Sequence, residues 1–437
     1  MLKVFRNLTY RRLFMAQIVA LIGTGLATVA LGLLAYDLAG QAAGQVLGTA
    51  LAIKMIAYVT LAPVAAALTE RLPRRGLLIS LDLLRAGVVL CLPFVSEIWQ
   101  VYALIFVLQA ASAAFTPAFQ ALIPEVLPDE ADYTRALSLS RLAYDLESLA
   151  SPMLAAVLLL VMGFSTLFVG TAIGFAGSAL LVFSVTLPAR QPGPSRPIWA
   201  RMTRGLRLYL ATPRLRGVLA LTLTVAAAGA MVIVNTVVMV KAGFGLAEPQ
   251  VALALALFGG GSMVAALLLP RLLDRADDRK VMLAGAVLLV AGLVLGPLVP
   301  GFGGLVGLWA VLGFGYSVVQ TPVGRLLRRS AAEPDRPALF AAQFALSHGC
   351  WLLTYPLAGW LGSGPGMAAA FAVLAALGGF GLLAALWLWL PEVAHDHHHD
   401  DLPADHPHLA DRPLDTAGRH RHLPLVDRWH PPRAGTV

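Results

Sequence analysis

A few ionisable side chains interrupt sequence that is otherwise apolar for tens of residues: Lys54, Asp82, Arg85, Arg141, Asp145, Glu147, Arg325 and His348. An ionisable group at bilayer depth is costly and is retained where it pairs or works, so these residues are the first candidates for chemistry. A carboxylate and an imidazole can bind either protons or cations reversibly. Helical spacing sorts the set. Tyr144, Glu147, Ser148 and Ser151 share one face, whereas Arg141 and Asp145 form an i,i+4 pair on a neighbouring face and Asp82 and Arg85 an i,i+3 pair near the cytoplasmic side. Counted at 1.5 Å per residue from the ends of their runs, Glu147 lies roughly 16 Å and His348 roughly 15 Å into a core of about 30 Å. Lys54 either neutralises Glu147 or belongs to a proton path.

A second group lies in the polar segment after Glu392. His395, His397, His398, His399, His406, His408, His420 and His422 alternate there with aspartates, and proline and charge predict that the segment is disordered. Imidazole interleaved with carboxylate on a loose chain makes a multidentate site for borderline divalent ions such as nickel, cobalt, zinc or copper(II). Only three histidines are consecutive, and ordinary residues follow them, so a native tail is favoured over a purification tag. Other chemistry is poorly represented. The two cysteines, Cys91 and Cys350, form no motif, and Cys350 lies roughly 200° around a helix from His348, away from any shared ligand position. None of the four lysines follows a glycine, so no phosphate-cradling loop is present. With no nucleophile constellation and no cofactor loop, an enzyme is the remotest reading and no cofactor is expected.

The elements that must hold these residues follow from composition. The chain has 437 residues, 58% hydrophobic and 13% charged, with a mean hydropathy of +0.76. Roughly 250 apolar residues would supply twelve spans of about 20 residues each. Twelve apolar runs can be read, the first from about residue 13 to 36, too long for the core of a signal peptide. The net charge of +8 does not form a nucleic-acid patch, because the arginines sit between apolar runs. They cluster in alternate connections (Lys3 to Arg12, Arg71 to Arg75, Arg135, Arg190 to Arg216, Arg271 to Lys280, Arg328 to Arg336), while the other connections offer only Lys241. The positive-inside rule therefore predicts cytoplasmic termini. The organisation expected is a six-helix bundle over 1–187, a basic cytoplasmic linker over 188–215, a second bundle over 216–391 and the tail over 392–437. The linker suits a helix lying against the anionic cytoplasmic leaflet.

The two bundles are repeats. A shift of 204 residues places Arg12 on Arg216, Glu70 on Asp274, Arg71 on Arg275, Arg75 on Arg279 and Pro152 on Pro356. The same shift carries Tyr144 onto His348, Glu147 onto Trp351 and Ser151 onto Tyr355. Both faces are polar and aromatic, and both are expected to line a central cavity together with Lys54.

The loop AALTERLPRR (66–75) resembles the cytoplasmic signature of the major facilitator superfamily, with Ala66, Glu70 and Pro73 departing from its Gly, Asp and Gly. The second-half repeat, LLLPRLLDRADDRK, keeps the acid–arginine pair as Asp274 and Arg275. The resemblance, which covers residues 1–391, implies an all-α fold of twelve transmembrane helices in two pseudo-symmetric bundles with a site between them. It also implies a cytoplasmic gate, in which Glu70, Arg71, Arg75, Asp274, Arg275 and Arg279 would pair and release. The segments SLSRLAYDLESLASP and FALSHGCWLLTYP together with the tail resemble the nickel and cobalt exporter branch of NreB type. That implies a monomeric carrier in a bacterial inner membrane, exporting nickel or cobalt by proton antiport. A drug or siderophore exporter with an incidental tail, and a membrane-anchored metal sensor or buffer that transports nothing, are the two rivals.

Overall fold

The computed structural model describes residues 2–69, 73–120, 122–129, 132, 136, 139, 140, 143, 147, 150, 151, 153–187, 198–273, 275–330, 336–389, 395–398 and 419–422. The first half holds α1 (Leu8–Ala39), α2 (Ala43–Thr69), α3 (Arg74–Cys91), α4 (Ile98–Gln120), α5 (helical at its described positions between 132 and 158) and α6 (Ser165–Phe183). A linker helix, α7 (Ile198–Ala211), leads into the second half. There α8 (Pro213–Val238), α9 (Glu248–Leu273), α10 (Asp278–Leu295), α11 (Gly301–Gln320), the short α12 (Val323–Ser330), α13 (Arg336–Ser363) and α14 (Met367–Leu388) follow. Setting aside α7 and α12, these are the twelve expected spans.

Among the described residues, nine segments are long and apolar enough to cross a membrane, one of which, Leu8–Thr60, contains α1 and most of α2. The helix α13 is not among them. Gln343, Ser347, His348, Thr354 and Tyr355 dilute its apolar character.

Local signals set the helix ends. Asn7 caps α1 by accepting from the Tyr10 amide at 3.0 Å, and Gly40, at φ 53°, ends the same helix. Asp277 caps α10 by accepting from the Arg279 and Lys280 amides. Pro356 lies inside α13, where it removes one rung of the helical ladder.

Hydrocarbon side chains gain little by leaving lipid for one another, so the helices are held by close packing and internal polar bonds. The two halves meet where α2 crosses α13, at the end of the bundle away from the termini. A Cβ on Gly359 would lie 2.0 Å from the Gly44 carbonyl oxygen, and one on Gly48 2.5 Å from that of Tyr355. Only glycine permits this approach. The Gln45 amide donates to Ser363 Oγ at 3.1 Å, and Asn235 of α8 donates to the Ala358 carbonyl at 3.0 Å. Lys241 Nζ lies 4.9 Å from the Tyr36 ring centre, tying the halves together again at the same end.

Within the first half, Arg85 pairs with the fully buried Asp82, as their spacing predicts. Its guanidinium sits between the rings of Phe115 and Phe175, at 4.1 and 4.4 Å. In the tail, two four-residue segments are described. His395–His398 and Arg419–His422 pair as antiparallel strands β1 and β2, in the register His395 to His422 and His397 to His420. The prolines that predict disorder fall outside both strands.

Candidate functional site

Three helices from both halves bring ionisable groups to a common depth. Lys54 comes from α2, Glu147 from α5 and His348 from α13. The Lys54 ammonium acts electrostatically on both the Glu147 carboxylate and the His348 ring. Depth along the helices agrees. Lys54 lies six residues, about 9 Å, below the Gly48 crossing, and His348 seven residues, about 10 Å, below its partner Tyr355.

The His348 ring is held firmly. Its Nδ1 lies 2.7 Å from the Phe344 carbonyl oxygen, which can only accept, so this bond assigns the hydrogen to Nδ1 and leaves Nε2 with the free lone pair in the neutral ring. The Phe344 ring packs against the imidazole at 3.9 Å between centres, and Tyr58 of α2 flanks it at 5.7 Å. One turn further along α13, the Trp351 and Tyr355 rings lie 4.9 Å apart and inclined by 30°. Tyr355 is buried, while Lys54, Glu147, His348 and Trp351 are half-buried.

Glu147 is positioned by a glycine. A Cβ on Gly25 of α1 would lie 2.9 Å from Glu147 Oε1 and 2.1 Å from Ser151 Cβ, so only a bare backbone lets α5 lie against α1 here. The second half repeats the device: a Cβ on Gly229 of α8 would lie 2.4 Å from Trp351 Cη2. Gly25 and Gly229 are 204 residues apart, as are Glu147 and Trp351. The repeat in the sequence is thus a repeat of packing, with a carboxylate on one side and an indole on the other.

The remaining expected residues are distributed differently. Tyr144, Arg141, Asp145, Glu70, Arg71 and Asp274 lie outside the described residues, as do His399, His406 and His408. Arg75 donates to the Phe183 carbonyl at the end of α6 and covers the Phe183 ring at 4.7 Å, while Arg279 donates to the Trp389 carbonyl just beyond α14. Each arginine therefore stabilises a helix C-terminus within its own half, where a cation complements the helix dipole. Arg275 is exposed in the turn before α10.

Two features are not apparent from residue type and spacing. In sequence Tyr58 is one more aromatic residue in an apolar run. The other feature is an ion cluster at the foot of the second half, where Asp278 pairs with Arg325 and, at 3.1 Å, with Arg329 of α12. A faint signal for it exists, because the 204-residue shift places Asp278 on Arg74, the same position with the charge exchanged.

The Major Facilitator Superfamily model matches this chain twice, over residues 13–240 and 218–426. The chain belongs to the major facilitator superfamily. It is a polytopic membrane transporter. Among curated relatives, an uncharacterized MFS-type transporter of Bacillus subtilis (strain 168), YfiS, is 30% identical over 125 residues, covering 29% of this chain and 30% of that protein. A second from the same organism, YkuC, is 26% identical over 196 residues, covering 43% and 45%. The chain thus aligns with less than half the length of each. Solved structures extend the likeness across nearly the whole fold. A bacterial homologue of the human lysosomal transporter Spinster, inward-facing and unoccupied, matches with a TM-score of 0.67 at 12% identity, covering 88% of this chain and 96% of that one. The nucleoside transporter NupG and a D-xylose–proton symporter each match with a TM-score of 0.62, at 14% and 16% identity; each comparison covers 87% of this chain, with 98% and 95% of the respective partner. At such identities the likeness concerns the fold alone.

Proposed function

We propose that this carrier exports a divalent metal, nickel or cobalt, from the cytoplasm in exchange for protons by alternating access. The observation that carries the reading is that the Lys54 ammonium acts electrostatically on a group from each half, the Glu147 carboxylate and the His348 ring. A carboxylate and an imidazole Nε2 suit borderline divalent ions, and both also bind the proton that would displace the metal. Because the two groups belong to different halves, relative movement of the halves would assemble and disperse the site. The tail supports the same cargo. Pairing of His395 with His422 and of His397 with His420 places four histidines at neighbouring positions of one short ladder, suited to capturing metal before it enters the bundle. In this reading the protein works as a monomer in a bacterial inner membrane with both termini cytoplasmic, and Glu70, Arg71, Asp274 and Arg275 belong to its cytoplasmic gate.

The test is nickel flux into proteoliposomes that contain a trapped metal indicator, under an imposed proton gradient. The unmodified protein should accumulate nickel, and Glu147→Gln should insert normally but carry almost none. Full flux in that variant would remove Glu147 from the site.

A second reading, efflux of an organic drug or siderophore, is favoured by the Trp351–Tyr355 pair and by Lys54, whose charge opposes a bare divalent cation. A deletion strain sensitive to dyes or macrolides but indifferent to nickel would select it.

A further inference from the structure

The linker helix α7 has three distinct faces. At 100° per residue, Gly205 and Tyr209 fall within an arc of about 40°, Trp199, Met202, Leu206 and Leu210 within about 80°, and Arg201, Arg204 and Arg207 within about 120°. The first face is docked. A Cβ on Gly205 would lie 2.2 Å from the Ala338 carbonyl oxygen in the first turn of α13, and the fully buried Tyr209 donates its hydroxyl to Gln343 Oε1. Burial pushes the Tyr209 phenol above its ordinary range, so it remains a donor.

On the second, apolar face Leu206 and Leu210 are 39% and 44% exposed. The third carries three arginines with no acidic residue anywhere in the helix, and Arg207 is exposed. Only Thr212 separates α7 from the spanning helix α8, so α7 lies at the edge of the bilayer. A short helix at that level, with an apolar stripe beside a basic arc, matches the chemistry of an anionic leaflet: acyl chain beneath, phosphate alongside.

We propose that α7 is a docking surface for anionic lipid headgroups, and that its clamp on α13 passes lipid contact to the helix carrying His348. Gln343 stands five residues before His348, about 8 Å along the same helix. Lipid that seats α7 therefore restrains the lower part of α13, and loss of lipid releases it. The inference is independent of cargo.

Amide hydrogen exchange of the full chain in nanodiscs tests it without a transport assay. Nanodiscs of phosphatidylcholine alone are compared with nanodiscs containing about a third phosphatidylglycerol. Exchange over 198–211 and over 338–348 should be roughly tenfold slower in the anionic discs. Each arginine near an anionic surface strengthens attachment roughly fivefold, so replacing Arg201, Arg204 and Arg207 by glutamine should weaken it on the order of a hundredfold and erase the difference. High salt should do the same to the unmodified protein, which covers the case of a variant that folds poorly. Tyr209→Phe should keep the slowing in α7 and lose much of it over 338–348. Equal exchange in both discs, or a difference that survives the triple substitution or high salt, would overturn the docking surface. Undiminished slowing over 338–348 in Tyr209→Phe would overturn the transmission. Equal slowing in neutral discs on adding inorganic polyphosphate would show that a soluble anion, not the leaflet, is the partner.

Discussion

The two halves of the molecule use one packing device for different ends. In the first half a glycine of α1 admits the Glu147 carboxylate and the Ser151 side chain; in the second the equivalent glycine of α8 admits the Trp351 indole. The contrast recurs away from the site. The first half buries the Asp82–Arg85 pair between two phenyl rings, and the positions 204 residues later are Ala286 and Leu289. Duplication thus preserved the backbone approach, while the side chains placed at it diverged. One half came to bury an ion pair between phenyl rings and to supply the Glu147 carboxylate, and the other to supply Trp351, Tyr355 and the His348 imidazole.

Substitutions at equivalent positions should therefore have unequal effects. The largest difference is expected between Glu147→Gln and Trp351→Phe. The first should lower proton-driven nickel flux by about a hundredfold or more, as expected when a charge that binds cargo is lost, and the second by a few-fold. Equal losses in the proteoliposome assay would mean that the halves share the work after all. The next effect concerns the seam between them. Gly359→Ala puts a methyl group against backbone, which cannot swing aside, so the closed end should be wedged apart. With Cys91 and Cys350 replaced by serine, maleimide labelling of a cysteine introduced at the buried Ala358 should rise roughly tenfold, whereas Gly303→Ala, which meets nothing within 4 Å, should leave it unchanged.

Smaller again is the pair Gly25→Ala and Gly229→Ala. Each added methyl meets side chains only, so each should cost about 1–3 kcal/mol, visible as a lowered melting temperature in detergent. Similar stability losses with a flux defect confined to Gly25→Ala would sharpen the contrast between the halves; flux defects of equal size would erase it. The smallest effect is expected for Arg75→Gln and Arg279→Gln. Each removes one cation from a helix C-terminus, and melting should report about 0.5 kcal/mol apiece.

Much of this architecture is legible in the amino-acid sequence. Length and apolarity mark the twelve spans, and the 204-residue shift pairs Glu147 with Trp351 because equivalent helices keep their phase. Helical periodicity says which residues share a face, but not which helix that face meets. Hence sequence leaves Lys54 between two roles, and only the fold brings its charge to bear on both Glu147 and His348. Tyr58, for the same reason, is invisible in sequence as a partner of His348. The arginines of the expected gate pose the converse case. Their positions are plain in the repeat, yet Arg75 and Arg279 find backbone carbonyls at nearby helix ends, a type of partner that leaves no trace in side-chain patterns. The docking of α7 is hidden for a similar reason, since Gly205 contributes an absence of side chain.

Pro356 lies between two events on α13: the aromatic and imidazole surface from His348 to Tyr355, and the seam at Ala358 and Gly359. Lacking an amide hydrogen, it cannot bond the Leu352 carbonyl, so the helix is joined across this point by one rung fewer than elsewhere. The upper part of α13 can therefore tilt about a built-in pivot while the lower part stays in register with Lys54. Opening the far end need not disturb the surface around His348 in the same instant, and the two motions can follow one another in time.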